Sequence, residues 1–358
     1  ENSFLSRVQV AFFFQQAQST QISSSVYENT YAEVARSGYK MNGLLTGPGV
    51  KWALGAFLGL GVFASAAVIQ LDASIEGQAN PFKEFNRWLN SFIYSESLVD
   101  YCDEKLGETG GHIALTYFRD LIAGYITYFI VAAPWAYYVY IHGKGRFSEV
   151  EAPSRETVLD QVRMACVAVP AYATLPVASQ LFIEGGYTRV YYSLADVGGL
   201  GGYLFFTTVY IAFVEIGIYW MHRVLHTNKF LYKHVHALHH KYNKPSTLTP
   251  WASIAFNPLD GLLQACPYLI ATFFVPCHYL THLILLFFTA LWATNIHDTL
   301  NGDSEPIMGS KYHLIHHTHY HCNFGQFFIF CDWFWGTLKR PEDLRSRKAE
   351  AAEDKKKL

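Results

Sequence analysis

The sequence predicts an all-α fold: a polytopic membrane helix bundle with a histidine-rich helical cap holding a dinuclear metal site. Three observations carry this. Hydrophobic residues make up 51% of the 358 positions while Asp, Glu, Lys and Arg make up only 16%, against roughly 25% charge in soluble domains. Several apolar runs reach the ~20 residues that a helix needs to cross ~30 Å of hydrocarbon. Of the 16 histidines, all but His112 and His142 fall between His222 and His321.

Taken in order, residues 1–50 mix Gln, Ser, Tyr and Gly without periodicity and read as a polar N-terminal extension. Within 51–120, the charge-free run 52–71 is a candidate membrane segment weakened by its Gly and Ala content, and the polar stretch 72–120 reads as a surface loop with short helices. The main domain is expected over 121–340. There, 121–141 is a charge-free span with Tyr and Trp at its end, where such rings favour the headgroup level. The runs 164–183, interrupted by Pro170 and Pro176, and 197–220, which carries Glu215, come next. The stretch 261–296 is too long for one crossing, and Pro276 near its middle predicts a hairpin of two membrane helices. Four to six membrane segments are expected in all. The tail 341–358 is charged and ends in KKKL, which fits both a dilysine retrieval signal of the endoplasmic reticulum and a plain solvated tail. The chain starts at Glu1 without a methionine, as after removal of a leader or with the start missing.

A net charge of −2 offers no basic field for nucleic acid. The six cysteines form no C-x-x-C pair and suggest no disulfide framework. G-x-S-x-G, H-E-x-x-H and Walker motifs do not occur, and the glycines from Gly198 to Gly202 enter an apolar helix without the strand context of a nucleotide site.

The histidines form three clusters: His222 and His226 in HRVLH, His236, His239 and His240 in HALHH, and His313, His316 and His317 in HLIHH. On a helix, positions i, i+3 and i+4 share a face, so each cluster is expected to aim its imidazoles at a common point. Imidazole suits iron, zinc, copper and nickel, and this many nitrogens exceed what one four-coordinate ion requires, so two metals are expected. His297, beside Asp298 at the end of the last membrane run, joins them, because a polar ring at a membrane boundary is costly unless used. His234 projects about 160° from His236 on a helix and is expected to stay out, as are His319 and His321. His112, His142, His278 and His282 read as surface or satisfied core residues. Glu215, seven residues before His222, either accepts the free N–H of a ligating histidine or pairs with Arg223 or Lys233.

The order HRVLH, HALHH, HLIHH between long apolar stretches resembles the fatty acid hydroxylase superfamily of membrane di-iron enzymes. Within it, the segments FVEIGIYWMHRVLH, LYKHVHALHHKYNKPSTLTPWA, NPLDGLLQ, ATNIHD and YHLIHHTHYHCNFGQF are similar to those of the sterol 5-desaturases. The resemblance covers roughly residues 120–340. It implies an oxidoreductase in which two non-haem iron ions activate dioxygen with electrons from cytochrome b5 or an equivalent donor protein, and which introduces the C-5 double bond of a sterol. The implied metal ligands are His222, His226, His236, His239, His240, His297, His313, His316 and His317, with Glu215 and Asp298 supporting them from behind. Two positions depart from the family pattern: Asn257 stands where a histidine commonly precedes the Pro of H-P-[VI]-D-G, and Asn301 where the second histidine of H-x-x-x-H is expected. A lipid hydroxylase of the same superfamily, and an accessory subunit docked on a larger membrane assembly through its N-terminal extension, are the other readings. The expected location is the membrane of the endoplasmic reticulum, or another organelle membrane after removal of a leader.

Overall fold

The computed structural model describes residues 80–143, 151–298, 302 and 305–344. The extension 1–50, the candidate segment 52–71, Asn301 and the KKKL end lie outside the described residues.

The fold is helical. Helix α1 (Pro81–Ser91) starts at Asn80, whose Oδ1 accepts from the Lys83 amide at 3.1 Å, with Pro81 in the first turn where its missing N–H costs nothing. Helix α2 (Glu96–Tyr137) runs on into a π turn, Tyr138–His142, and is kinked at Gly107, which sits at φ 73°. The expectation of a surface loop over 72–120 is therefore corrected: from residue 81 this stretch is almost entirely helix. Charge alone marked it as loop, yet Glu and Lys are good helix formers. The acids line an outer face, where Glu108 pairs with Lys83 and Arg87 of α1.

Helices α3 (Arg155–Tyr172) and α4 (Thr174–Glu184) are joined at Ala173. Helix α5 (Leu200–Thr227) carries the first histidines. The run predicted to be a hairpin of two membrane helices does split in two, α6 (Pro258–Phe274) and α7 (Tyr279–Ile296), turning at Pro276, but of the two only α7 is long and apolar enough to span a membrane. The turn strand β2 (Cys277–His278) pairs in parallel with β1 (Val190–Tyr191). Helix α8 (Ser310–His319) bears the last cluster, and α9 (Phe330–Phe334) is a single short turn beyond it. Four stretches among the described residues are long and apolar enough to span a membrane: Glu96–His142, Arg155–Glu184, Leu200–Thr227 and Tyr279–Ile296. Their outer faces expose Ile130, Val167 and Phe205, as side chains meant for lipid would be.

The bundle is drawn together on α5 and α6, where Tyr210, Val214 and Ile218 pack on Tyr268 and Ala271. The crossing is tight at Gly217: a Cβ there would lie 2.7 Å from Pro267. Deep in the bundle, His282 bridges Ser179 and Tyr210, at 2.8 Å each, and His112 pairs with Glu184 at 2.9 Å. Both rings are satisfied by their neighbours, as an intramembrane polar group must be.

Candidate metal centre

The ends of α5 and α7, the connection after each, and α8 converge on one buried volume. The last turns of α5 project His222 and His226 from the same stripe. Asn228 ends that helix and caps the next turn, its Oδ1 accepting from the amides of Phe230 and Leu231. Beyond it the chain departs from the regular α-helix that the HALHH spacing predicts. Tyr232–His236 forms a π turn and His239–Lys241 a 3-10 turn.

The nine histidines divide into two groups. His222, His226, His236, His240 and His316 bring one nitrogen each within 4.8 Å of one another, and His239, His297, His313 and His317 do the same. In the first, the Nε2 atoms of His226, His236 and His240 form a triangle with sides of 2.8, 3.0 and 3.1 Å. In the second, Nε2 of His313 lies 3.1 Å from those of both His297 and His317, and His239 lies 3.4 Å from His297. The expectation that each cluster converges on one point is thus corrected. In both HALHH and HLIHH the four-apart pair shares a group while the i+3 residue, His239 or His316, crosses to the other. Adjacent positions on a helix diverge by ~100°, so His316 and His317 cannot face the same point.

The outer nitrogens decide what the inner ones can do. Nδ1 of His236 bonds Asp260 at 2.8 Å, and those of His222, His297 and His316 bond the carbonyls of Phe324, Ala293 and Cys322 at 3.0, 2.6 and 2.8 Å. A backbone carbonyl can only accept, so Nδ1 carries the proton in these rings and Nε2 presents a lone pair to the group. Burial also acts on the rings that lie beyond the spanning helices. It holds His239, His240, His313 and His317 well below the ordinary histidine range and pushes His316 down to about 3, with neighbouring imidazoles adding to the effect in the first four. Buried, uncharged nitrogens 3 Å apart cannot all be satisfied by hydrogen bonds among themselves. Nε2 of His222 and of His316 has no hydrogen-bond partner among the described residues. Two cations, one per group, are what this donor set fits.

The supporting acids differ from expectation. Glu215 hydrogen-bonds neither His222 nor, among the described residues, a cationic side chain; it accepts the amides of Gln326, Phe327 and Phe328 at 3.1, 3.0 and 3.2 Å. It anchors the loop whose Phe324 carbonyl holds His222. Asp298 accepts the Trp135 indole N–H at 2.8 Å. Sequence reasoning missed Asp260, fully buried with its oxygen on His236. Its signal was the one that singled out Glu215, an acid in an otherwise apolar helix. Asn257 caps α6 through the Leu259 amide at 2.9 Å, a role for which asparagine is well suited. His234 and His321 are exposed and His319 turns back on its own helix at the Ile315 carbonyl, so none enters either group.

The fatty acid hydroxylase family model matches residues 207–337, a stretch that contains all the grouped histidines. A delta(7)-sterol-C5(6)-desaturase of Nicotiana tabacum is 43% identical over 238 residues, 66% of this chain and 88% of that protein. A delta(7)-sterol 5(6)-desaturase of Candida albicans is 32% identical over 299 residues, 83% of this chain and 73% of the relative. Lathosterol oxidase of Rattus norvegicus is 32% identical over 235 residues, 63% and 75% of the two chains. No solved structure matches. Likeness over 88% of the Nicotiana protein, with the family match lying on the histidine centre itself, makes this chain a member of the sterol 5-desaturase family of fatty acid hydroxylase-type oxidoreductases.

Proposed function

We propose that this chain is a dioxygen-dependent di-iron desaturase that introduces the C-5 double bond into a delta-7 sterol, in the membrane of the endoplasmic reticulum and with electrons from cytochrome b5 or an equivalent carrier. The observation that carries this reading is the pair of buried nitrogen groups, whose nitrogens face one another and in which Nε2 of His222 and of His316 has no hydrogen-bond partner among the described residues. His222, His226, His236, His240 and His316 would hold one iron, and His239, His297, His313 and His317 the other. When bound, the two irons supply dioxygen activation and the oxidising equivalents that remove hydrogen from the substrate.

The chain's own part is positional. Asp260 fixes the tautomer and tilt of His236, and Glu215 holds the loop behind His222. The burial of every grouped histidine keeps bulk water from a reactive centre. The apolar helices α5 and α7 end at the histidines, which would set the centre beside the bilayer that holds a dissolved sterol.

The test is expression in yeast lacking its own delta-7-sterol 5-desaturase, with sterols profiled by mass spectrometry. Sterols with a 5,6 double bond should appear, and the purified protein should carry about two metal ions per chain, as a dinuclear site needs. A hydroxylated lipid in their place would make the chain a hydroxylase. Protein devoid of metal under iron-replete conditions would leave only the accessory-subunit reading.

A further inference from the structure

The loop between α8 and α9 offers five consecutive amides, and two buried carboxylates take all of them. Glu215 accepts from Gln326, Phe327 and Phe328. Asp332 accepts from Phe324 and Gly325 at 2.8 Å each, and from the Thr337 hydroxyl at 2.7 Å. Gly325 is where the two acids meet. A Cβ there would collide with the Phe328 carbonyl oxygen and sit 3.2 Å from both carboxylates.

The two acids nevertheless face different peptides. The amide joining Phe324 to Gly325 gives its N–H to Asp332 and its carbonyl to Nδ1 of His222, at 2.8 and 3.0 Å. A carboxylate on one end of an amide draws electron density toward the oxygen at the other, and the stronger acceptor so made strengthens the next hydrogen bond. An imidazole whose outer N–H is held more firmly is the better donor at its inner nitrogen. The peptides bound by Glu215 carry no histidine ring on their carbonyls among the described residues. We propose that Asp332 is a positioning residue of the five-histidine site, orienting His222 and raising its donor strength through a single intervening peptide. With Asp260 acting directly on His236, that site has two of its five imidazoles backed by carboxylates. In the four-histidine site, His297 is backed by the neutral Ala293 carbonyl, and Nδ1 of His239, His313 and His317 has no partner among the described residues. The five-histidine iron therefore holds its electrons less tightly than the other.

This rests on the di-iron reading, and the experiment separates the two. Full-length protein loaded with 57Fe is titrated with dithionite while Mössbauer spectra follow each iron. Wild type should hold two irons per chain with distinct doublets; fewer than two would overturn the di-iron reading itself. Asp332→Asn, which loses the charge and turns an N–H toward Gly325, should let one iron reduce at a higher potential and leave the other where it was. The iron affected should be the one that responds to Asp260→Asn. Thr337→Val, which removes a donor competing for the carboxylate, should move the same iron to a lower potential, and it serves should Asp332→Asn fail to hold metal. Glu215→Gln loosens the same loop without touching that peptide, so any shift it causes should be well below that of Asp332→Asn. Unmoved potentials in Asp332→Asn or in Thr337→Val, or equal shifts in Asp332→Asn and Glu215→Gln, would overturn the proposal and leave Asp332 a loop anchor only.

Discussion

A neutral imidazole has one proton to place, and at His236 the choice is made by Asp260, 2.8 Å from Nδ1 with both side chains fully buried. Asp260→Asn should weaken iron retention against a chelator, or turnover, by about 10–100-fold, the usual effect of losing an outer partner of a ligating histidine. The amide of Asn can still accept, so the variant should fold and reach normal levels on immunoblot; unchanged retention and turnover would mean that His236 needs no such partner. His239 and His234 make a sharper contrast. His239→Ala removes one of the four imidazoles in its group and should abolish activity, whereas His234→Ala alters an exposed ring packed at a tilt against Phe230 and should cost no more than ~0.5 kcal/mol. Equal activities in a complementation assay would contradict the assignment. Every grouped histidine but His297 was legible as a candidate from spacing, because clustered imidazoles are rare by chance, and His297 stood out as a polar ring at a membrane boundary. Asp260 was not, since the sequence shows an acid near the start of an apolar helix but never that a histidine 24 residues back lies beside it.

At the scale of elements, the apolar runs predicted the helices of the bundle and the hairpin of α6 and α7 at Pro276. The loop expected over 81–120 came from treating charge as a sign of loop, when a charged helix needs only one inward face, here Leu115, Thr116 and Arg119 of α2. The segment 232–241 shows the opposite limit. Nothing between Asn228 and Asn243 breaks a helix by composition, yet the chain takes π and 3-10 turns there. Nitrogens from three other elements fix where its histidines must lie, and local propensity yields to that demand. Tight packing sets the other constraint. Gly217→Val would drive side-chain atoms into Pro267 across the α5–α6 crossing and should destabilise the fold by about 1–3 kcal/mol. A lowered Tm of the detergent-solubilised protein, with a proportionate loss of expression, would report it; an unchanged Tm would show that the helices part easily.

For the whole molecule, α6 and α7 must leave the histidine face and return to it, since His226 at the end of α5 and His297 at the end of α7 belong to one centre. Single cysteines placed at Lys241 and Lys311 in an otherwise cysteine-free chain should therefore react with an impermeant maleimide from the same side of sealed microsomes. Labelling from opposite sides would dismantle the centre. The exchange of His239 and His316 between groups governs how the protein fills. Each of two ions would draw ligands from both the 232–241 segment and α8, so the first to arrive would have to order both, and the second would find its ligands already in place. The entropy of ordering is spent at the first step, which makes the second association the tighter one. Native mass spectrometry of iron-free protein given half its complement of cobalt(II) should show chains with none or two, and few with one. A dominant singly loaded species would mean that the two sites fill independently in spite of their shared walls.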